Sequence, residues 1–146
     1  MRTVGDLTKG KELYIVTSDQ SVYDTALYMA EKDIGAVPVL EGNRLVGIFS
    51  ERDVMRRVIA PGRDARTTRL SEVMTRDVVV ANESETIDHV MTRMQANRCR
   101  HMPVVAGDRV IGFLSLRDLL FADVAEKYEQ VQQLQTYLYY LPENQR

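Results

Sequence analysis

The residues of this chain that could do chemistry together occur in a seven-residue pattern, Gly-x-x-Ser-x-Arg-Asp, which is present twice. It spans residues 47–53 and again residues 112–118, and we call these the first and second signature. If the serine begins a helix, its hydroxyl lies beside unpaired backbone N–H groups and the positive end of the helix dipole, which attract anions. The arginine adds donors that match phosphate oxygens, and the aspartate can accept hydrogen bonds from ribose hydroxyls.

The signatures therefore predict a nucleotide site with phosphate on Ser and Arg, sugar on Asp, and the base in an apolar slot. The residues concerned are Ser50, Arg52 and Asp53 in the first copy and Ser115, Arg117 and Asp118 in the second.

A purely structural role explains one copy equally well. A serine at the N-cap with an aspartate three residues later resembles a capping box, and the glycine lets a strand turn or pack closely. A cap does not require arginine at the same place in both copies, nor glycine three residues before the serine. The duplication therefore favours ligand binding over capping alone.

The signature belongs to a longer internal repeat with an offset of 65 residues, the separation of Pro38 and Pro103. Residues 15–54 align with residues 80–119 without a gap, and nine aligned positions are identical. A solenoid needs about three repeats, so two copies favour a closed pseudo-symmetric pair.

Each copy has the order of a β-α-β-β-α unit. A short apolar strand is followed by a helix, then by a hairpin that turns at a glycine, then by a second helix that begins at the signature serine. In the two copies these features are the strand at 13–16 or 78–81, the N-cap Ser21 or Thr86, the turn glycine Gly42 or Gly107, and Ser50 or Ser115. Two such units give an α/β (α+β) fold.

The prolines and the segments outside the repeat add smaller predictions. Pro38 and Pro103 cannot donate a ladder hydrogen bond, so we expect them at strand starts or edges. Residues 4–7 and 70–73 are similar lead-in segments and are predicted to be single helical turns.

The end of the chain is predicted to be one long helix, from Asp118 to Leu141, that stops at Pro142. Val131, Leu134 and Leu138 follow a spacing of three and four, and tyrosines add large amphipathic side chains beside them. This stripe predicts a dimer seam or a lid, and we expect a homodimer.

Composition limits the partners. The chain has 146 residues, 19 of them basic and 21 acidic, for a net charge of −2. That balance gives no reason to expect a nucleic acid or an anionic membrane as partner. The single cysteine rules out an internal disulfide, and no apolar stretch could span a bilayer or serve as a signal peptide core, so a cytoplasmic location is the default expectation.

The pattern as a whole resembles a tandem pair of cystathionine-β-synthase-type (CBS) domains, called a Bateman module, over residues 8–122. Both signatures match the family's Gly-h-x-Thr/Ser-x-x-Asp motif, where h is apolar. Residues 100–105, Arg-His-Met-Pro-Val-Val, resemble a stretch common in small stand-alone members. On this basis we divide the chain into unit 1 (8–65), unit 2 (70–125) and a helical tail (126–146).

The resemblance implies a sensor without catalytic activity. Family members bind adenosine-containing ligands in two clefts, and for this chain AMP is expected first, with ADP, ATP, NAD and S-adenosylmethionine as alternatives. Since no effector domain is attached, we expect the output to be a separate protein effector or the oligomer itself.

The resemblance also implies which residues line the adenine slots, namely those on the first strand and those just before the proline. They are Thr17, Gly35, Ala36, Val37 and Pro38 for one cleft, and Asn82, Arg100, His101, Met102 and Pro103 for the other. Gly35 and Ala36 leave room, whereas Arg100 and His101 are bulky and cationic. We therefore expect unequal affinities, with the second cleft favouring a more anionic or extended ligand.

Other functions are less consistent with these residues. A metal site would need more ligands than Cys99, His101 and the distant His89. A nucleotide hydrolase using Asp53 or Asp118 as its base would lack a paired carboxylate or a nucleophile with its base. A ligand-free interaction or stress-associated dimer is the other alternative. The arginines of residues 52–69 are interpreted as a solvated face, unless Arg56 or Arg57 reaches a phosphate.

Overall fold

The computed structural model describes residues 2–140 and Pro142. The helices are α1 Val4–Thr8, α2 Val22–Lys32, α3 Glu51–Asp53, α4 Leu70–Val73, α5 Ile87–Asn97 and α6 Leu116–Tyr139. The strands are β1 Val16–Thr17, β2 Ala36–Glu41, β3 Arg44–Ser50, β4 Ala81–Asn82, β5 His101–Ala106 and β6 Arg109–Ser115. A π-helical stretch, Val54–Ile59, continues α3.

The strands form two three-stranded sheets with the same topology, β1-β2-β3 and β4-β5-β6. In each sheet the first strand is parallel to the second and the second is antiparallel to the third. The pairing of Ala36 with Ser50 recurs as that of His101 with Ser115, at the offset found in the sequence. The prediction of an α+β fold with two repeated units is therefore confirmed.

The first strand of each sheet is shorter than predicted and begins three residues later, at Val16 and Ala81, and the prolines supply the reason for the late start. Val16 pairs with Val39, so the next pair toward the N-terminus would involve Pro38, which has no N–H to extend the ladder. Pro38 itself lies inside the central strand β2, opposite Ile48, and not at a strand start as we expected. No N–H donor is needed at this position because the backbone N–H and C=O of Ile48 bond to Thr75, each at 2.9 Å.

Helices α2 and α5 begin and end alike. The predicted N-caps are confirmed: the hydroxyl of Ser21 accepts from the N–H of Asp24 at 3.1 Å, and that of Thr86 from His89 at 3.3 Å. Asp33 and Arg98 end the helices in the left-handed conformation, with φ of 55° and 52°. These turns direct residues 34–36 and 99–101 into the following strands.

The two lead-in segments are helical turns, as predicted, but each packs on the unit that it does not precede. Leu70 of α4 lies in the core of the first unit with Val37 and Phe49, whereas Val4 of α1 lies in the core of the second. Backbone hydrogen bonds fix the exchange, from Leu70 N–H to the Gln20 carbonyl and from Val4 N–H to the Glu85 carbonyl. The exchange ties the two units together.

Helix α6 runs from the second signature far beyond the second sheet. Leu119 near its start is buried, but Val131, Leu134 and Leu138 are 49%, 61% and 47% exposed. The helix ends at Tyr139, and the predicted end at Leu141 lies outside the described residues. Among the described residues no helix combines the length and apolar character needed to cross a membrane. Because α6 is continuous across residue 125, the division into units and tail stays a prediction from the sequence.

Candidate functional site

A cavity of about 1060 Å³ lies between the two units, and we call it the interunit cavity. One wall comes from residues 33–36 and Glu51 of the first unit, and the other from Arg100, His101, Phe113 and residues 115–118 of the second. Residues Leu120, Phe121 and Val124 of α6, with Lys11, Glu12 and Tyr14 of the segment before β1, complete the lining.

The repeat explains why these walls meet. In the first unit the N–H of Glu51, the first residue of α3, donates to the Gly35 carbonyl at 2.9 Å. In the second unit the N–H of Leu116, the first residue of α6, donates to the Arg100 carbonyl at 2.8 Å. Each unit thus joins the residues before its central strand to the start of its signature helix, and the two equivalent junctions meet at the cavity.

Asp118 supplies a carboxylate to the interunit cavity. It closes a capping box: its Oδ2 accepts from the N–H of Ser115 at 2.8 Å, and its own N–H donates to the Ser115 hydroxyl at 3.0 Å. Its Oδ1 pairs with the Lys11 ammonium at 2.9 Å, and the side chain is 34% exposed. Burial raises the pKa of Asp118, but the Ser115 N–H and Lys11 outweigh it and leave the pKa below its ordinary value. The group is therefore a carboxylate at neutral pH.

Asp53, the equivalent residue of the first signature, is enclosed. Its carboxylate accepts from the N–H and hydroxyl of Ser50 at 3.0 and 3.2 Å and from the hydroxyl of Thr75 at 3.2 Å. Arg57 pairs with it at 3.6 Å, and the side chain is 9% exposed. Both oxygens of Asp53 are engaged inside the protein. This carboxylate therefore caps α3 and connects it to the segment after α4 through Thr75.

The signature glycines are required by the exchanged segments. A Cβ on Gly47 would lie 2.7 Å from the Met74 sulfur and 2.8 Å from the Thr75 carbonyl oxygen. A Cβ on Gly112 would lie 2.2 Å from a methyl group of Thr8. Contacts this short do not occur between real side chains, so each glycine allows the lead-in segment to lie directly on the sheet.

His101 lies flat against Phe113, with the ring centroids 5.5 Å apart and the planes 5° from parallel. Burial lowers the pKa of His101, while Asp118 and Glu51 oppose that shift and Arg100 adds to it. Charged groups from both walls of the cavity therefore act electrostatically on the ring. A neutral imidazole there can accept or donate a hydrogen bond, and an added anion would favour its protonation.

Seven of the residues predicted from the sequence line the interunit cavity: Gly35, Ala36, Arg100, His101, Ser115, Arg117 and Asp118. The others lie elsewhere: Thr17, Val37, Pro38, Ser50, Arg52, Asp53, Asn82, Met102 and Pro103. Val37 and Met102 belong to the cores, the Thr17 hydroxyl donates to Asp19 at 2.6 Å, and Asn82 accepts from Ser84. The assignment of these nine to a ligand stays a prediction.

Sequence reasoning missed Lys11, Glu12, Tyr14, Asp33, Glu51 and Phe113. Glu51 could have been found, because it occupies a variable position inside the first signature, where the second has Leu116. Lys11 and Glu12 precede the repeat and reach the cavity only through the exchange of lead-in segments. Nothing in their local sequence indicates that exchange.

Metal and thiol chemistry find no support in the described part of the chain. Residues 2–140 and Pro142 contain no group of three or more His, Cys, Asp or Glu side chains placed to hold a metal ion. Burial raises the pKa of the Cys99 thiol, which packs against the core of the second unit. A raised pKa makes the reactive thiolate less available.

The arrangement matches known proteins. The model of the CBS domain matches residues 4–60 and again residues 70–125, so the chain belongs to the CBS-domain family as a CBS-domain pair. The CBS domain-containing protein CBSX3, mitochondrial, of Arabidopsis thaliana is 33% identical over 144 residues, which are 94% of this chain and 69% of that protein.

Two solved structures are similar over most of the chain. A CBS-domain protein of Burkholderia ambifaria MC40-6, assigned to signal transduction, has a TM-score of 0.79 at 38% identity and covers 84% of this chain and 94% of its own. The CBS domain pair of protein MJ0100, in complex with 5′-methylthioadenosine and S-adenosyl-L-methionine, has a TM-score of 0.75 at 26% identity and covers 85% of this chain and 97% of its own.

Proposed function

We propose that this protein is a non-catalytic sensor that binds an adenosine-containing ligand in the interunit cavity and reports its presence to a protein effector. The observation that carries the proposal is the second signature, whose Ser115, Arg117 and Asp118 lie together on a cavity that both units build. A ligand that touches both units favours one arrangement of them over others, and that is how binding is converted into a change that a partner can recognise.

The chemistry of the lining supports a nucleoside. Asp118 is an ionised acceptor suited to the sugar hydroxyls, and Ser115 with Arg117 can bind a phosphate or carboxylate. Tyr14, Ile34 and Phe113 provide apolar and aromatic surface for a base. The MJ0100 pair, with its bound 5′-methylthioadenosine and S-adenosyl-L-methionine, supports the same ligand class.

The charges of the cavity favour a ligand of modest charge. Cationic Lys11, Arg100 and Arg117 are balanced by acidic Glu12, Asp33, Glu51 and Asp118. A triphosphate would bring three or more negative charges to a wall that is nearly neutral overall. We therefore rank AMP, NAD and S-adenosylmethionine above ADP and ATP. The sequence-based expectation at Arg100 and His101 is a more anionic or extended ligand, and the lining supports only the extended alternative.

Calorimetry with AMP, ADP, ATP, NAD and S-adenosylmethionine tests the proposal. Asp118→Ala should weaken ligand binding by about 1–3 kcal/mol, the usual effect of losing a charged hydrogen-bond partner. Asp53→Ala is the matched control, because it makes the same change in the signature that lies away from the cavity, and it should leave affinity at the Asp118 site unchanged. Absence of binding by all five at millimolar concentration, or turnover of ATP with Mg²⁺, would contradict the proposal.

A second candidate function is a ligand-free interaction dimer, and the exposed stripe of α6 favours it. Val131, Leu134 and Leu138 repeat with the three-and-four spacing of a coiled-coil seam, and such a seam is complementary to a second copy of itself. We propose that the protein is a homodimer through this stripe in either case. Light scattering after size exclusion should give the dimer mass for the wild type and the monomer mass for Val131→Glu/Leu134→Glu. The control Gln132→Glu/Gln133→Glu adds the same charge off the stripe and should stay dimeric.

A further inference from the structure

The residue that holds Asp118 from the cavity side is Lys11, which lies outside both signatures and outside the aligned repeat. Its ammonium approaches Oδ1 of Asp118 to 2.9 Å, while Oδ2 is taken by the N–H of Ser115. Lys11 also lines the interunit cavity, as does the neighbouring Glu12. Both carboxylate oxygens of Asp118 are therefore engaged before any ligand arrives.

The first unit is built differently, because the cation beside its aspartate comes from the helix that follows the signature, with Arg57 at 3.6 Å from Asp53. There the segment after α4 presents the hydroxyl of Thr75 to Asp53, a neutral contact inside an enclosed site. In the second unit the segment after α1 presents Lys11, whose ammonium is on a long flexible stem and whose side chain is 49% exposed. The Thr75 hydroxyl is held in place because its backbone makes two hydrogen bonds to Ile48, whereas an exposed lysine can leave its partner and find another within reach of its stem.

We propose that Lys11 is a displaceable latch on Asp118 that selects ligands carrying a negative group beside the sugar. The inference rests on the proposed function, since it concerns the same cavity. Sugar hydroxyls reach Oδ1 of Asp118 when Lys11 leaves it. A ligand with a phosphate gives the released ammonium a new anionic partner within the cavity, whereas an uncharged nucleoside leaves it to water.

The latch therefore acts in opposite directions on two ligands that share the same nucleoside. Lys11 competes with an uncharged nucleoside for Asp118 and so lowers the affinity of the protein for that nucleoside. It competes with AMP as well, but it also binds the AMP phosphate in the complex. Removing the ammonium should strengthen the first ligand and weaken the second.

The experiment compares Lys11→Met with the wild type in calorimetric titrations of AMP and of 5′-methylthioadenosine, which has a sugar but no charge. Methionine keeps an apolar stem of similar length. We expect 5′-methylthioadenosine to bind roughly twofold to fivefold more tightly, the range for losing an exposed ion pair. We expect AMP to bind about tenfold more weakly, as when a charged hydrogen bond to phosphate is removed. Lys9→Met is the matched control, because Lys9 is in the same segment but pairs with Asp6 and is 82% exposed; it should change neither affinity.

A measurement without ligand tests the contact itself. The carboxylate carbon of Asp118, followed by NMR as the pH is lowered, should titrate at higher pH in Lys11→Met than in the wild type, and Lys9→Met should leave it unchanged. An unchanged titration, or equal factors for AMP and 5′-methylthioadenosine, would overturn the latch while leaving the sensor in place. Failure of 5′-methylthioadenosine, AMP, ADP, ATP, NAD and S-adenosylmethionine alike to bind the wild type would overturn the proposed function and the latch with it.

Discussion

The aspartates of the two signatures, Asp53 and Asp118, form the same capping box with their own serine and differ in what approaches from the other side. Asp53 meets the Thr75 hydroxyl and Arg57 and is 9% exposed, whereas Asp118 meets Lys11 and is 34% exposed. The same residue types at the same spacing thus give an enclosed structural carboxylate in the first unit and a cavity-lining carboxylate in the second.

This difference is made outside the signatures. Each lead-in segment packs on the other unit. The segment after α4 therefore contacts the aspartate of the first signature, and the segment after α1 contacts that of the second. A motif search treats the two copies as equal because it sees only the repeated residues. The residues that decide whether an aspartate is available belong to segments that the repeat does not include.

The largest effects should come from filling the space of the signature glycines. Gly47→Ala and Gly112→Ala should each lower the free energy of unfolding by roughly 1–3 kcal/mol or more, because the new methyl group would overlap the exchanged lead-in segment. Urea unfolding followed by circular dichroism measures both.

A double-mutant cycle separates the two glycines. Thr8→Gly removes the side-chain atoms that a Cβ on Gly112 would meet, so Gly112→Ala should cost less in that background. For Gly47 one of the nearest atoms is the Thr75 carbonyl oxygen, so Met74→Ala should recover little. Equal recovery in the two cycles would show that the lead-ins pack differently from this description. Gly42→Ala is no control here, since φ of 61° strains it in any case.

The next effect distinguishes the two aspartates. Asp53→Asn should destabilise the protein by about 1–2 kcal/mol, because enclosed donors of Ser50 and Thr75 lose charged acceptors. Asp118→Asn should cost about 0.5–1 kcal/mol, since its partner Lys11 can turn to water and the helix retains a capping side chain.

Thermal unfolding checks this order of stabilities, and repeating it at high salt separates the two aspartates further. Screening by 1 M NaCl should reduce the difference between wild type and Asp118→Asn more than that between wild type and Asp53→Asn, because the Lys11 pair is the more exposed. The reverse order of stabilities would mean that the first signature, not the second, is the open one.

The architecture could be predicted from the sequence because each element depends on local residues. Ser21 and Thr86 as caps, Gly42 and Gly107 as turns, and Ser50 and Ser115 as helix starts each act within a few residues. The pattern of apolar residues adds the hairpin and the helix between these points. The places of Pro38 and Pro103 were missed because their tolerance inside a strand depends on what the opposite strand bonds to, as with Ile48 and Thr75.

The candidate site was only partly predictable for the same physical reason. Arg100, His101 and Asp118 are adjacent to elements whose position follows from the repeat, and they line the cavity. Lys11 and Thr75 act at a distance, through contacts between segments that are far apart in the sequence. No local propensity distinguishes a lead-in that packs on its own unit from one that packs on the other.

The smallest effect concerns His101, where the first unit has Ala36. Because burial lowers the pKa of His101 below that of the unfolded chain, the unfolded state binds more protons as the pH falls below about 6.5. Stability from the neutral ring is therefore fully present above that pH and is lost as the pH falls through the folded pKa. His101→Ala makes the two units alike and should make the free energy of unfolding change less between pH 7.5 and pH 5.

NMR of the imidazole carbons measures the titration directly, with His89→Gln leaving the His101 resonance alone in the spectrum. Binding of AMP should move that titration to higher pH, since a phosphate near the ring favours the protonated form. 5′-Methylthioadenosine, which brings no anion, should move it less. A His101 pKa above the ordinary range in the free protein would mean that Asp118 and Glu51 outweigh burial. The second unit would then offer an imidazolium to its ligand where the first offers a methyl group, and the two units would differ in charge as well as in access.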